Sequence, residues 1–345
     1  MTGSVIITGA NGSLAVPAVA HLLTKHPDLT LLLTVRDASS RDANTAKLKE
    51  VIARFSGARA TVHALDLASL RAVHAFADHV AAGVAQGTYP PLRALVANAF
   101  HWNLVAAGQA TADGYERTFQ INHVAQAALA LRLLGSFDKA APGRVVFFAS
   151  DAHWPGKNGL EKIPPGLPED LDRLVQLEDA GGVAGGDYAG RGFQRYANSK
   201  LAIVAFMYAL NRRLEKDSTL SNVTAIAVDP GSLSDSRALR TNTPTQLRVI
   251  QRFVLQPLRP LLALGNPTLR TSAKAAADIV ELAVGPAAHG VLVKGYFHGA
   301  AKAESSPESQ DADKQERLWV KTVEWADITK ENSVLGGSGV TPAGF

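Results

Sequence analysis

Val5-Ile6-Ile7-Thr8-Gly9-Ala10-Asn11-Gly12-Ser13-Leu14-Ala15 decides the fold of this chain. A short apolar run reads as a buried strand, a glycine-bearing turn follows, and residues 13–25 continue as an amphipathic helix. Glycine permits the tight turn and lets a ligand's diphosphate come close to the backbone. The helix beyond supplies unpaired N–H groups and a partial positive charge. A glycine turn between a strand and a helix is the context in which it reads as a nucleotide site. Thr8, Gly9, Asn11, Gly12, Ser13 and Leu14 are therefore expected to bind a dinucleotide.

The pattern repeats outward from that stretch. Residues 4–8, 29–35, 60–65, 92–97 and 144–150 read as buried strands, and 13–25, 44–55, 69–85 and 113–134 as the helices between them. Residues 222–228 and 290–293 add two more strands, giving about seven. This alternation predicts an α/β fold, a doubly wound parallel sheet of the Rossmann type, with its ligand site at the carboxyl ends of the strands. No linker or internal repeat interrupts it, so residues 1–345 read as a single domain. Three segments stand outside the rhythm: a loop insertion at 154–192, a flap at 232–266 and a C-terminal extension at 303–345 with an amphipathic helix at 314–328. The insertion holds at most one short helix, near 169–177, and loops of that length are usually functional. It is expected to lie over the substrate entrance.

Composition narrows the function. A hydrophobic share of 46% against 19% charged residues supports a sizeable core and excludes global disorder. The absence of cysteine excludes disulfides, thiolate metal sites and cysteine nucleophiles. No metal site is expected. The net charge of +4 comes from scattered basic residues, so no nucleic-acid surface is indicated. No run approaches 18 apolar residues, which argues against a membrane span. A strand beginning near residue 5 leaves no room for a secretory leader, so a cytoplasmic location is expected. The apolar segment 254–264 reads as a lid helix in preference to a membrane-touching edge.

Two further stretches carry chemistry. The second strand ends Thr34-Val35-Arg36-Asp37. An arginine there suits a ribose 2′-phosphate and an acidic residue suits the hydroxyl. Arg36 comes first, so NADP(H) is expected ahead of NAD(H). At the third strand's end stand Asp66 and Leu67; Asp66 reads as a partner of the adenine amino group, as the cap of the helix starting near Ser69, or as both at once. Tyr196-Ala197-Asn198-Ser199-Lys200 places a phenol and an ammonium four residues apart on one helix face. A free tyrosine titrates near pH ~10. A fixed cation beside it favours the phenolate and makes the pair a proton-transfer device.

Taken together, these motifs resemble the short-chain dehydrogenase/reductase superfamily over nearly the whole chain. Residues 8–15 match its glycine loop, and Asn98-Ala99 the pair after strand four that lines the cofactor. The run from Thr111 and Asp113-Gly114 to Asn122 matches the helix bearing a catalytic asparagine, and residues 144–150 the strand ending in a catalytic serine. Tyr196 and Lys200 match the Tyr-x-x-x-Lys pair, and Asp229-Pro230-Gly231 the turn after strand six, which brings Ser232 and Leu233 with it. Val35-Arg36-Asp37, Ser150-Asp151-Ala152-His153, Gly295-Tyr296-Phe297 and Arg317-Leu318-Trp319 are similar to the retinol dehydrogenase and carbonyl reductase branch, and similar chains serve natural-product pathways.

The resemblance implies an oxidoreductase acting between a carbonyl and an alcohol. Tyr196 is the implied proton donor and acceptor, Lys200 the clamp on the ribose, and Ser150 the group that bonds the substrate oxygen. Asn122 is implied to hold a water that links Lys200 to solvent. His153 reads equally as a support of the Ser150 loop or as a substrate contact. A homodimer formed through the tyrosine-bearing helix is also implied. Phe100, Trp102, Trp154 and Phe193 would line an apolar substrate pocket.

Three departures matter. The spacing Gly9-x-x-Gly12-x-x-Ala15 is similar to the extended, sugar-nucleotide-modifying members, so an epimerase or dehydratase is the alternative enzyme. Phe100 stands where a glycine usually follows Asn98-Ala99. The ring either turns away from the nicotinamide or narrows the pocket beside it, and it is the one feature leaning toward a non-enzymatic dinucleotide sensor. Finally, Ser150 and Tyr196 are 46 residues apart, and the insertion accounts for the excess.

Overall fold

Alternating apolar side chains on consecutive strands build a sheet that is buried on both faces. The structure is a computed structural model that describes residues 2–177, 187–258, 268–285 and 294–336. Its main strands are β1 (Gly3–Ile7), β2 (Leu29–Val35), β3 (Ala60–Ala64), β4 (Leu92–Ala97), β5 (Gly143–Phe148) and β6 (Val223–Asp229). A small separate pair is β7 (Ser232–Leu233) with β8 (Leu269–Arg270), and the chain ends its sheet with β9 (Gly295–His298) and β10 (Ala301–Lys302). The large sheet runs β10-β9-β6-β5-β4-β1-β2-β3. All its pairings are parallel except β9 with β10. It has eight strands where about seven are expected, the eighth being the two-residue β10. The strand expected at 290–293 lies outside the described residues, and β9 is the strand paired with β6.

Side chains of opposite parity enter opposite layers. Val5, Ile7, Leu31, Leu33, Val146 and Ile226 pack with α1 (Ala15–Lys25) and α8 (Ser272–Val284). Ile6, Leu32, Leu95, Phe147 and Ala225 pack with α3 (Leu70–Ala85), α5 (Ala125–Leu133) and α6 (Tyr188–Lys216). On the first layer's side, α2 (Ala43–Ala53) closes the β2–β3 crossover, capped by Asp42. The strand order reverses direction between β1 and β4, which opens a crevice at their carboxyl ends.

Of the insertion, residues 154–177 dock chiefly along α6, and residues 178–186 lie outside the described residues. Gly166 N–H bonds Asn198 Oδ1 (3.0 Å) and the Pro164 carbonyl accepts from Gln194 Nε2 (3.3 Å). Residues 194 and 198 each lie two positions from Tyr196, about 200° around the helix. The insertion's middle therefore docks on the side of α6 facing away from the tyrosine. Among its described residues, the helical turn Leu171–Leu174 faces the last helix, where Trp325 Nε1 donates to Asp172 Oδ1 (2.9 Å). Leu160, near the insertion's start, does reach the tyrosine's apolar surroundings.

The extension wraps back along α6 as α9 (Pro307–Gln310) and α10 (Ala312–Trp325). Trp319 stacks on Phe206 with 5.2 Å between ring centroids, and the Arg213 guanidinium lies 3.9 Å from the Trp319 ring centroid. Glu316 bonds Arg212 (2.7 Å) and Arg213 (2.6 Å). The chain's own C-terminal helices thus occupy part of the helix expected to form a dimer.

Glu316 makes this seam acid-sensitive. Its hydrogen bonds to the two arginines, Arg213 first, hold its carboxyl down at about 2. A carboxyl depressed in the folded state stabilises fully above its ordinary value near 4.5 and ceases to do so as pH falls toward 2. Glu316→Gln is expected to lower stability by about 0.5–1 kcal/mol between pH 5 and 8, the half-exposed position being screened by water. Thermal melts of the two proteins should converge as pH drops from 5 toward 2; a gap that widens there would contradict this.

Candidate active site

The glycine loop is fixed to the end of β4. Asn98 Nδ2 donates to the carbonyls of Thr8 (2.9 Å) and Gly9 (3.2 Å), and the Ala99 N–H donates to Thr8 Oγ1 (3.0 Å). Gly9 has φ +62°, and a Cβ there would meet Ala99 Cα at 3.0 Å, so only glycine fits without strain. A Cβ on Gly12 would come equally close to the Gly9 carbonyl. α1 starts after Leu14 with no side-chain cap and no acid in its first turn. The first-turn N–H groups of the helix are therefore not taken by a side-chain cap of its own, which fits a diphosphate.

At the end of β2 both Arg36 and Asp37 are exposed. Asp37 Oδ1 accepts the Ser39 N–H (2.8 Å), and hydrogen bonds from Ser39 hold its carboxyl below the usual range. Asp37 is thereby turned onto its own loop. Asp66 accepts the Ala68 N–H (3.0 Å), while the cap of α3 is Ser69, so the capping role considered for Asp66 belongs to its neighbour. Leu67 is buried beside it. Beyond β6, Gly231 (φ +80°) makes the turn after Pro230, and the Ser232 N–H donates to the Thr268 carbonyl (3.0 Å). Leu233 packs toward the α1 layer.

Tyr196 stands where three elements meet. Gly192 lets α6 approach the loop after β4: a Cβ there would lie 2.0 Å from the Asn103 carbonyl oxygen. The phenol ring is half-buried against Trp102 (5.4 Å), Phe193 (6.0 Å) and Phe100 (6.2 Å). Phe100 thus leans onto the tyrosine and narrows the space beside it. Ser150, past the end of β5, hydrogen-bonds the Tyr196 phenol and also bonds Asp151 Oδ1 (3.0 Å). Lys200 is 3% exposed. Its Nζ donates to the Phe148 carbonyl (2.7 Å) and lies 5.6 Å from the Tyr196 ring centroid.

The expected electrostatics are reversed here. Burial pushes the Tyr196 phenol well above its ordinary value and outweighs the Ser150 hydrogen bond that favours the phenolate. Burial likewise pushes Lys200 down to about 7, against the pull of the Asp229 carboxylate. The ammonium is engaged with Phe148, and desolvation sets the direction of both shifts.

Asn122 lies in a π-helical segment, Gln120–Val124, just ahead of α5. Its Oδ1 accepts the His101 N–H (2.7 Å), and its Nδ2 donates to the His101 carbonyl (2.9 Å) and Ser199 Oγ (2.9 Å). The amide braces the loop after β4 against the residue preceding Lys200. π-segments frequently occur at functional sites, and here the side-chain amide's donors are engaged by His101 and Ser199.

His153 is a strut. It is 1% exposed; its Nε2 accepts the Ser306 N–H (3.0 Å), so the proton sits on Nδ1, which donates to the Ser150 carbonyl (2.6 Å). The ring ties the Ser150 turn to the C-terminal extension. His153→Ala is expected to destabilise by about 2–4 kcal/mol and to lower kcat about tenfold while the cofactor's KM moves less than threefold. Kinetics on the refolding-competent variant check this, and an unchanged kcat would reduce the histidine to packing alone.

Other contributors escaped the sequence reading. Gln126 Nε2 donates to the Ala99 carbonyl (3.0 Å), and its side chain shares a hydrogen bond with Thr8. A polar residue every few positions of an otherwise buried helix was the available signal. Asp229, read from the sequence only as part of the turn after strand six, is 5% exposed, accepts from His298 Nδ1 (3.3 Å) and acts on both Lys200 and Tyr196.

A family model described as short chain dehydrogenase matches residues 4–161, and one described as AcuH dehydrogenase domain matches 237–335. A short-chain dehydrogenase of Talaromyces variabilis, iccH, is 32% identical over 371 aligned positions, covering 96% of this chain and 98% of that one. The chain belongs to the short-chain dehydrogenase/reductase family. This dehydrogenase is an oxidoreductase of that type, built on a nucleotide-binding Rossmann fold. Retinol dehydrogenase 14 of Mus musculus is 28% identical over 328 positions, covering 92% of this chain and 83% of its own. The NADPH-bound carbonyl reductase from chicken fatty liver superposes with a TM-score of 0.56 at 14% identity, over 88% of this chain and 99% of that one, a likeness of fold.

Proposed function

We propose that this dehydrogenase uses NADP(H) to interconvert a carbonyl and an alcohol on a mostly apolar small molecule, with Tyr196 as proton donor and acceptor. The observation that carries the reading is Tyr196 itself, bonded to Ser150, set over Lys200 and walled by Phe100, Trp102 and Phe193. The cofactor, when bound, supplies or accepts the hydride. Tyr196, protonated at neutral pH, gives its proton to the substrate oxygen in reduction and recovers it in oxidation. Ser150 Oγ donates a hydrogen bond to the same oxygen and stabilises the charge developing there. Lys200 holds ribose hydroxyls with its ammonium.

Thr8, Gly9, Asn11, Gly12, Ser13 and Leu14 would cradle the diphosphate, with Asn98 and Ala99 behind them. Asp66 and Leu67 would edge the adenine, and Pro230, Gly231, Ser232 and Leu233 the opposite end. Arg36 would take the 2′-phosphate; the commitment of Asp37 to Ser39 supports NADP(H) over NAD(H). The NADPH of the chicken carbonyl reductase supports the same choice. No described helix is long and apolar enough to cross a membrane, and a cytoplasmic setting with a small-molecule partner belongs to the proposal.

The test is cofactor oxidation against a panel of apolar ketones and aldehydes. NADPH is expected to support turnover at least about tenfold better than NADH. Net consumption also separates a reductase from an epimerase, which would return its cofactor. Binding of NADPH without reduction of any carbonyl would sink the reading.

A further inference from the structure

Arg237 reaches the glycine loop from the flap, more than two hundred residues away in sequence. Its backbone N–H donates to Ser13 Oγ (3.0 Å), its Nε to the same oxygen (3.2 Å), and its Nη2 to the Asn11 carbonyl. Residues 8–15 carry no charged side chain. The half-buried guanidinium therefore brings to the loop a full positive charge that its own residues lack. Asp42, the cap of α2, attracts it and itself accepts a hydrogen bond from Asn11 Nδ2 (3.2 Å).

A dinucleotide's diphosphate brings about two negative charges onto this loop. The terminus of α1 offers roughly half a positive charge. An arginine is the side chain best shaped to complete that balance, because its fork matches phosphate oxygens. The acceptors Arg237 now holds are a carbonyl and a hydroxyl, both neutral. Exchange of either for a phosphate oxygen replaces a neutral hydrogen bond with a charge-assisted one. The same flap also closes on the tyrosine's surroundings: Trp102 Nε1 donates to the Thr241 carbonyl (3.2 Å), and the Leu104 N–H to the Asn242 carbonyl (2.8 Å). One short segment, residues 237–242, thus joins the two ends of the site.

We propose that Arg237 is the flap's latch on the cofactor: its guanidinium pairs with the diphosphate and holds residues 232–258 over the site. This rests on the dinucleotide reading above.

The test measures Kd for NADPH and for NADH by nucleotide fluorescence in the wild type, Arg237→Met and Arg237→Lys, with hydrogen exchange across residues 232–243 with and without NADPH. Arg237→Met is expected to weaken both nucleotides by the same factor, about 10- to 100-fold, with less loss at high salt. Arg237→Lys should recover part of the affinity. Exchange in the flap should slow on adding NADPH to the wild type and not to Arg237→Met. Loss confined to NADPH would assign the arginine to the 2′-phosphate and overturn the latch. No loss with either nucleotide, in variants whose melting temperatures match the wild type, would leave Arg237 a strut between flap and loop and overturn it too. A wild type that binds neither nucleotide would instead refute the dinucleotide reading, and the latch with it.

Discussion

Tyr196→Phe is expected to lower kcat by about three orders of magnitude while leaving NADPH affinity within threefold. The change removes one oxygen and keeps the ring contacts with Phe100, Trp102 and Phe193. Fold and pocket shape are therefore preserved, and the loss reports the proton alone. The pH dependence follows from the direction of the tyrosine's shift. A phenol raised by burial stays protonated through pH 6 to 9, so carbonyl reduction has its donor across that range. Alcohol oxidation needs the phenolate and should gain rate as pH rises. Steady-state rates in both directions, in wild type and variant, check this. A Tyr196→Phe variant with more than about a third of the wild-type kcat would remove the phenol from the chemistry.

The strands and their partners were legible because burial on both sheet faces leaves a direct record: short apolar runs between polar turns. The glycine loop was legible because its neighbours, a strand before and a helix after, give the glycines their meaning. What the sequence hid is contact between segments far apart in it. Asp66 read as a cap of the helix starting near Ser69, and only the backbone path shows Ser69 itself taking that place. The insertion read as a cover for the substrate entrance, but the contacts that hold its described residues, from Gln194 and Asn198 on the side of α6 away from Tyr196, had no signature in the sequence. Lys200 was found from its spacing to Tyr196 and Asn122 from the family resemblance, yet the His101 and Phe148 groups that hold them are backbone atoms with no signature of their own. Arg237 had no local signal at all, because its importance lies in a loop 224 residues earlier.

Lys200 shows how the site trades stability for chemistry. Lys200→Met is expected to raise the thermal stability of the cofactor-free protein while lowering activity at least a hundredfold. The lysine's ordinary value is 10.5 and the folded value about 7, so folding opposes its charge. Between those values the unfolded chain binds more protons than the folded one, and stability rises with pH. The penalty is therefore full below about pH 7 and relieved toward 10.5. Its upper bound is about 5 kcal/mol, from the shift alone. The bond to the Phe148 carbonyl is lost with the lysine, which takes back roughly 1–3 kcal/mol. The net expected gain is about 2 kcal/mol at pH 6, a rise of a few degrees in Tm, shrinking by pH 9. Melts of both proteins at the two pH values measure it. A destabilised Lys200→Met at pH 6 would mean that the Phe148 bond outweighs the buried charge. The stabilised outcome would identify Lys200 as a charge the fold tolerates only because the bound cofactor needs it.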